Sequence, residues 1–373
     1  MAKDPAFPGT LKQAALLTLA LSLVYLVLAA ALVPALDAGP ERIRQNATLA
    51  DNLPPPSHSP QYLLWGIWQR FDTLWYRRVA ERGYDTPETV VFYPLYPLVI
   101  RAAALLGLPT APGAILIARC ATFFLLWGLI LLLRMDLDPG DARKALALLL
   151  AWPMSFILLG GYAEPFLMCF TVWAIWFARN HRWWPAALCC ALACQSRAVG
   201  MVALAPLAWL AWRQKAFRPL PFLLALSAPF WFPLWLKLNA LPLSSQVYPL
   251  YWRTSMAWPW TTLIDAFRFY STDLAWFVSL NGAAMLLVFG VALARPLRAD
   301  YFLYALGTLA FILTANARPP LHSYVRYVLP VFPAFASAAR LLRHPLAFAA
   351  VWCGLFLVNL VLLYAFWDWF FLV

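Results

Sequence analysis

The chain has 373 residues, of which 64% are hydrophobic and only 12% charged. A soluble globular domain carries about 25% charged residues, so a soluble fold is excluded and a single membrane-embedded domain over 1–373 is expected. The net charge of +12 falls in short segments between apolar runs, not on one soluble face, which argues against a nucleic-acid partner.

Apolar runs set the predicted elements. An all-α, polytopic integral membrane fold of about eleven spans is expected: 11–36, 113–134, 145–160, 165–178, 185–198, 200–212, 219–238, 274–294, 301–316, 324–340 and 345–367. The stretch 185–212 reads equally as one kinked helix. The first run far exceeds the roughly 7–15 apolar residues of a signal peptide, so it is taken as a retained span. A hydrophobic segment at 94–107 is too short to cross and is placed in the membrane interface.

Alternate connections are short and basic: Lys3 and Lys12; Arg134, Arg143 and Lys144; Arg179 and Arg182; Arg213, Lys215 and Arg218; Arg295 and Arg298; Arg340 and Arg343. Cytoplasmic loops carry this excess, which orients the chain. The other side then holds 37–112, the first extracytoplasmic loop with short amphipathic helices, together with 160–165, 195–200, 239–273 and 316–326. It carries arginines too, among them Arg70, Arg197, Arg253 and Arg326. Topology does not require them there, and an anionic ligand is the simplest reason for them. The many prolines, tolerated at membrane depth only beside protein or a water-filled cavity, cluster on the same outer half.

The outer stretch 65–101 mixes charges and aromatics most densely. A helix begun near Phe71 places Asp72, Trp75, Tyr76 and Val79 on one face, with Arg77 and Glu81 paired at i, i+4. A partly desolvated carboxylate at such a position suits a general base; the plainer roles for Asp72 are a helix cap or a partner for Arg77. Asp85 is a fallback base or a turn residue. Glu164, where two spans meet, is a functional candidate or a salt-bridge partner of Arg197. Tyr93 and Tyr96 are substrate contacts or interfacial anchors. Trp252, Trp258 and Trp260 with Gln246 and Arg253 are expected at an acceptor entrance, or as membrane anchors. The six cysteines lie within apolar runs as small hydrophobes. No histidine cluster, nucleotide loop or paired-aspartate motif points to a metal, and no cofactor is expected. Asn46-Ala47-Thr48 is a glycosylation sequon.

The run FDTLWYRRVAERGYDTPETVVFYPLYPLVIR, 71–101, resembles the first extracytoplasmic loop of the PIG-V-like mannosyltransferases of the GT-C superfamily. The likeness rests on Asp72, Trp75, Tyr76, Ala80, Gly83, Tyr84, Phe92, Tyr93, Pro94, Tyr96 and Pro97, with Phe71 where that family usually has Trp. Gly161-Tyr162-Ala163-Glu164, Ser196-Arg197-Ala198-Val199-Gly200 and Arg326-Tyr327 with Pro330 and Pro333 resemble its later motifs, in the same order. The resemblance implies a GT-C-type bundle. It implies transfer of a mannosyl group from a polyprenyl-phosphate-mannose lipid to an acceptor hydroxyl on a glycan, glycolipid or protein. Asp72 would be the base, and Arg197, Arg326 and His322 would meet the donor phosphate; the plainer roles are snorkelling or a carboxylate pair for either arginine and a solvated loop residue for His322. Trp75, Tyr76, Tyr93, Tyr96, Glu164 and Asp85 would line the substrate site. The expected location is a prokaryotic cytoplasmic membrane with the site facing outward, or the lumen of the endoplasmic reticulum in a eukaryote. The alternatives are a transporter or lipid flippase, a non-catalytic membrane subunit, or the same chemistry with another lipid-phosphate sugar such as arabinose.

Overall fold

A computed structural model describes residues 7–37, 39, 41, 43, 53, 56–269, 275–294 and 298–370. The sequon at 46–48, Lys3 and Arg295 lie outside the described residues. Helices dominate. In chain order they are α1 (Phe7–Leu32), α2 (Pro60–Leu64), α3 (Asp72–Arg82), α4 (Leu95–Leu105), α5 (Thr110–Leu133), α6 (Pro139–Ala151), α7 (Glu164–Arg179), α8 (Trp183–Ser196), α9 (Leu204–Arg213), α10 (Pro219–Leu238), α11 (Ser244–Tyr251), α12 (Pro259–Phe269), α13 (Ala275–Ala294), α14 (Ala299–Leu313), α15 (Tyr324–Tyr327), α16 (Phe332–Leu341) and α17 (Pro345–Trp367). Among the described residues the one sheet is a short antiparallel ribbon, β1 (Thr254–Met256) against β2 (Ala315–Ala317), with Ser255 opposite Asn316.

Among the described residues, four segments are long and apolar enough to cross a membrane: Gly9–Ala35, Thr110–Leu133, Pro219–Leu238 and Pro345–Trp367. Helices stand at the other predicted spans as well, most of them shorter. The span expected at 145–160 is α6 followed by a 3-10 turn at Ser155–Leu158, and the span expected at 324–340 is cut into α15 and α16 around Pro330. Proline removes a backbone donor and crowds the preceding turn, which accounts for that cut. The same residue type does not end α10, which runs through Pro229 and Pro233.

The spanning helices α1, α10 and α17 leave Leu16, Leu19, Val27, Leu220, Leu223, Phe230, Leu346, Leu357 and Val361 exposed. Keeping such a side chain in water rather than apolar surroundings costs about 1.5–3 kcal/mol. An outer surface built this way belongs to a membrane protein. The interior packs α7 against α5 and α8, α8 against α10, and α16 against α6 and α13. Trp68 meets Trp367 and Tyr25 edge-on at its centre.

Contacts gather the connections into two sets, one at each end of the helices. At one end buried Arg179 reaches Asp136 at 2.5 Å and Asp300 at 2.7 Å, over the ring of Tyr301. Arg298 approaches the same two carboxylates, and Arg340 donates to the Asp136 carbonyl. Arg134 donates to Gln13, and Lys144 to the Leu342 carbonyl. The set that carries Asp72 lies at the other end.

Candidate active site

Residues 65–71 turn sharply before α3, with Phe71 at φ +47°. This start puts Asp72 in the first helical turn, where a negative charge suits the helix dipole. Thr73, Leu74, Tyr76, Val79 and Ala80 form the buried face of α3. Arg77 bonds Glu81 at the expected spacing and also Gln69. Gly83, at φ +74°, ends the helix.

Gly161 brings the second acidic residue. Its φ is +81°, and a Cβ there would stand 2.8 Å from the Thr73 methyl and 2.9 Å from Ile115. Only glycine lets this turn lie so close to α3, where Thr73 donates to the Gly160 carbonyl at 2.8 Å. Three residues later Glu164 opens α7, buried.

Gly200 does the same for Arg197. A Cβ at Gly200 would lie 2.1 Å from the Ala193 carbonyl oxygen. The tight passage from α8 into the 3-10 turn at Ala198–Ala203 leaves Arg197 extended at the helix end. Arg326 comes from α15, the isolated turn in the broken span.

These four side chains form one continuous run of alternating charge. Asp72 Oδ2 accepts from Arg326 Nη1 at 2.9 Å. Arg326 Nε lies 3.1 Å from Glu164 Oε1, which also accepts from Arg197 Nη1 at 2.5 Å. The middle members are buried, with side-chain exposures of 2% for Glu164 and 8% for Arg326. The end members open outward, Asp72 at 14% and Arg197 at 20%. Glu164 Oε2 is buried with no hydrogen-bond partner among the described residues. Each guanidinium keeps further N–H donors, since Arg has five. The Tyr162 hydroxyl is buried close to Asp72, Arg326 and Glu164. The rings of Tyr162 and Tyr327 lie within cation–π range of Arg326, and Tyr327 also of Arg197.

The aromatic wall joins at α3. Trp75 stacks on Phe92 and meets Trp252 edge-on. Tyr76 is buried against Phe92 and Tyr96, within electrostatic reach of all four charges, and burial holds its hydroxyl well above the usual range. Tyr93 packs on Phe232 of α10, its hydroxyl pushed up to about 12 by burial. His322 sits half-buried in the left-handed turn ahead of α15.

Two expected substrate residues are not placed for that role. Tyr96 is fully buried and its hydroxyl donates to the Ala114 carbonyl at 2.7 Å, so it braces Tyr76 instead of meeting a ligand. Asp85 is clasped by Arg78 through two 3.0 Å bonds, and that guanidinium lowers its pKa, so it holds the turn after α3. Arg70 likewise serves the fold: it is buried and donates to the carbonyls of Gly66, Gln69 and Trp367 and to the Tyr62 hydroxyl. Gln246 caps the amide of Leu243. Trp258 and Trp260 stack face to face but point outward, away from Trp252's cluster.

Three contributors had no role assigned from the sequence. Tyr162 and Tyr327 belong to the motifs Gly161–Glu164 and Arg326-Tyr327, which is the one signal that marks them. Tyr248 of α11 lies within electrostatic reach of Asp72 and Arg197, and nothing in its local sequence singles it out. Among the described residues no three His, Cys, Asp or Glu stand close enough to share a metal ion. A scan against protein-family models finds no match to this chain, and a comparison with curated protein sequences finds none either.

Proposed function

We propose that the chain is a GT-C-type membrane glycosyltransferase that moves a mannosyl group from a polyprenyl-phosphate donor to an acceptor hydroxyl outside the cytoplasm. In this proposal the eleven apolar segments cross or enter the bilayer, with the basic connections inside and Asp72 facing outward. One observation carries it: Asp72, Glu164, Arg197 and Arg326, from four segments that charge alternation assigns to the same outer side, meet in a single bonded run.

The run suits the chemistry. Asp72 keeps Oδ1 for an acceptor hydroxyl while Arg326 fixes Oδ2. The acceptor oxygen attacks the anomeric carbon, its proton passes to Asp72, and the bond from that carbon to the phosphate oxygen breaks. The leaving phosphate then gathers charge, which fixed cations stabilise. Arg197, the more open of the two arginines, offers a planar fork matched to phosphate oxygens. Glu164 holds both arginines in place between turnovers, and the donor's isoprenoid tail dissolves among the apolar helices. Trp75, Tyr76, Tyr93 and Tyr248 are the side chains available to the sugar and to the lipid's first units.

The test uses purified protein in nanodiscs with polyprenyl-phosphate-mannose and a panel of acceptor alcohols. Asp72→Asn lowers kcat by about 100-fold or more, the range of a lost general base, while the unfolding midpoint stays near that of the wild type. Arg197→Gln raises KM for the donor more than it lowers kcat. Wild-type turnover by Asp72→Asn overturns the proposal. Transfer from polyprenyl-phosphate-arabinose in place of mannose keeps the mechanism and changes the sugar.

A further inference from the structure

We propose that α12 is a membrane-docking helix that lies along the outer headgroup region and braces, through the β1–β2 ribbon, one wall of the candidate site. This inference does not rest on sugar transfer; it needs only that α14, to which α12 is bonded, ends at the membrane boundary.

The helix has two faces of opposite character. Thr262, Asp265, Ala266 and Phe269 turn inward. Thr262 donates to the Leu313 carbonyl at 2.8 Å, and Asp265 accepts from Asn316 at 2.7 Å. Just ahead of the helix, the Ala257 amide donates to the Thr314 carbonyl at 2.9 Å. These bonds fix α12 to the end of α14, an apolar helix with its own exposed leucine, Leu306. Trp260, Leu263, Ile264 and Phe267 recur at i, i+3, i+4 and i+7 on the other face, and all four are exposed, Phe267 at 83%. Stacked Trp258 and exposed Met256 extend that face.

Charge complementarity selects the occupant. Arg253, Arg268 and Arg318 are exposed around this apolar strip, and the Arg318 amide bonds the Arg253 carbonyl, so two of them stand together. Tryptophans over an apolar strip with arginines at its rim match the layered chemistry of a bilayer surface: acyl boundary, then phosphate. A water-facing helix would not leave four large apolar residues in line.

The inner face explains why such docking matters. Asn316, held by Asp265, belongs to β2, which pairs with β1. Two residues before β1, Trp252 packs on Trp75 and Phe92 beside Asp72. Bilayer, α12, ribbon and aromatic wall therefore form one mechanical unit, and lipid contact sets how that wall stands over the site.

The experiment places a small fluorescent amino acid at Phe267, and separately at Leu263, of the full chain in phosphatidylcholine–phosphatidylglycerol nanodiscs. Phe230, exposed on α10, is labelled as a deep standard. Nitroxide lipids labelled near the glycerol or near the chain end quench from the membrane, and iodide quenches from water. The expected result is shallow quenching at 267 and 263 exceeding deep quenching by about twofold or more, with little iodide effect; Phe230 shows the reverse depth order. Iodide quenching without lipid quenching means the face lies in water. Protection from both means that protein, a second copy or another chain, covers it. Either outcome overturns the proposal. Neither depends on turnover, so failure here leaves the transferase proposal standing, and the converse.

Discussion

Glu164 Oε1 accepts from Arg197 and lies 3.1 Å from Arg326 Nε, within a pocket that leaves its second oxygen without a partner among the described residues. Removing one member of a buried ionic set strands the remaining charges away from water, which costs about 3–5 kcal/mol. Glu164→Gln is therefore expected to lower thermal stability by about that much, because Arg326 and Arg197 both lose their shared counter-charge. Asp72→Asn should cost much less, since Arg326 keeps Glu164 and the Asp72 side chain is partly open. Thermal unfolding of both variants in one detergent checks the order; equal losses would mean that Glu164 is not the hub. The pairing itself was only half legible in the sequence. A bond from Glu164 to Arg197 was an explicit alternative, but nothing in the chain announced that Arg326 would reach Asp72 across 254 residues of sequence.

At the scale of the element, glycine decides where the charged residues go. Gly200 cannot carry a side chain without driving it into the Ala193 carbonyl, whereas a Cβ at Gly354 in α17 meets nothing within 4 Å. Gly200→Ala must move backbone, and a loss of several kcal/mol is expected, in the upper range for point substitutions. Gly354→Ala should be neutral or stabilise by up to about 1 kcal/mol, as alanine does in an open helix interior. A wild-type midpoint for Gly200→Ala would contradict the junction geometry. Element positions were largely legible. The apolar runs 219–238 and 345–367 coincide with α10 and α17, because a long hydrophobic stretch bounded by proline or a basic residue has few other options. The segments at 145–160 and 324–340 were not legible as the broken helices they are. Both read as apolar runs that contain proline, as α10 does, and only tertiary contacts decide whether a proline ends a helix.

Across the whole molecule, two ionic sets sit at opposite ends of the helices. One joins Asp72, Arg326, Glu164 and Arg197; the other joins Asp136, Arg179, Asp300 and Arg298. Arg179 was legible only as one more positive residue in a basic connection, yet it is buried and ties the α5–α6 connection to α7 and α14. Arg179→Met leaves two buried carboxylates with Arg298 alone, and a loss of about 3–5 kcal/mol is expected. Turnover per folded molecule should not change, because this set shares no bonded residue with the first. Unfolding and kinetics on the same sample check both halves; unchanged stability would remove the clamp from the account.

Arg70, two residues before Asp72, takes one of its acceptors from the Trp367 carbonyl, and its guanidinium lies over Trp369 at 4.2 Å. On a ribosome these groups emerge nearly 300 residues after Arg70 itself. A nascent chain therefore carries the aspartate-bearing segment without the seat that orients it until α17 and Trp369 have been made. Assembly of that segment waits on α17. Chains stopped before α17 should accordingly yield inert protein, not protein of reduced rate.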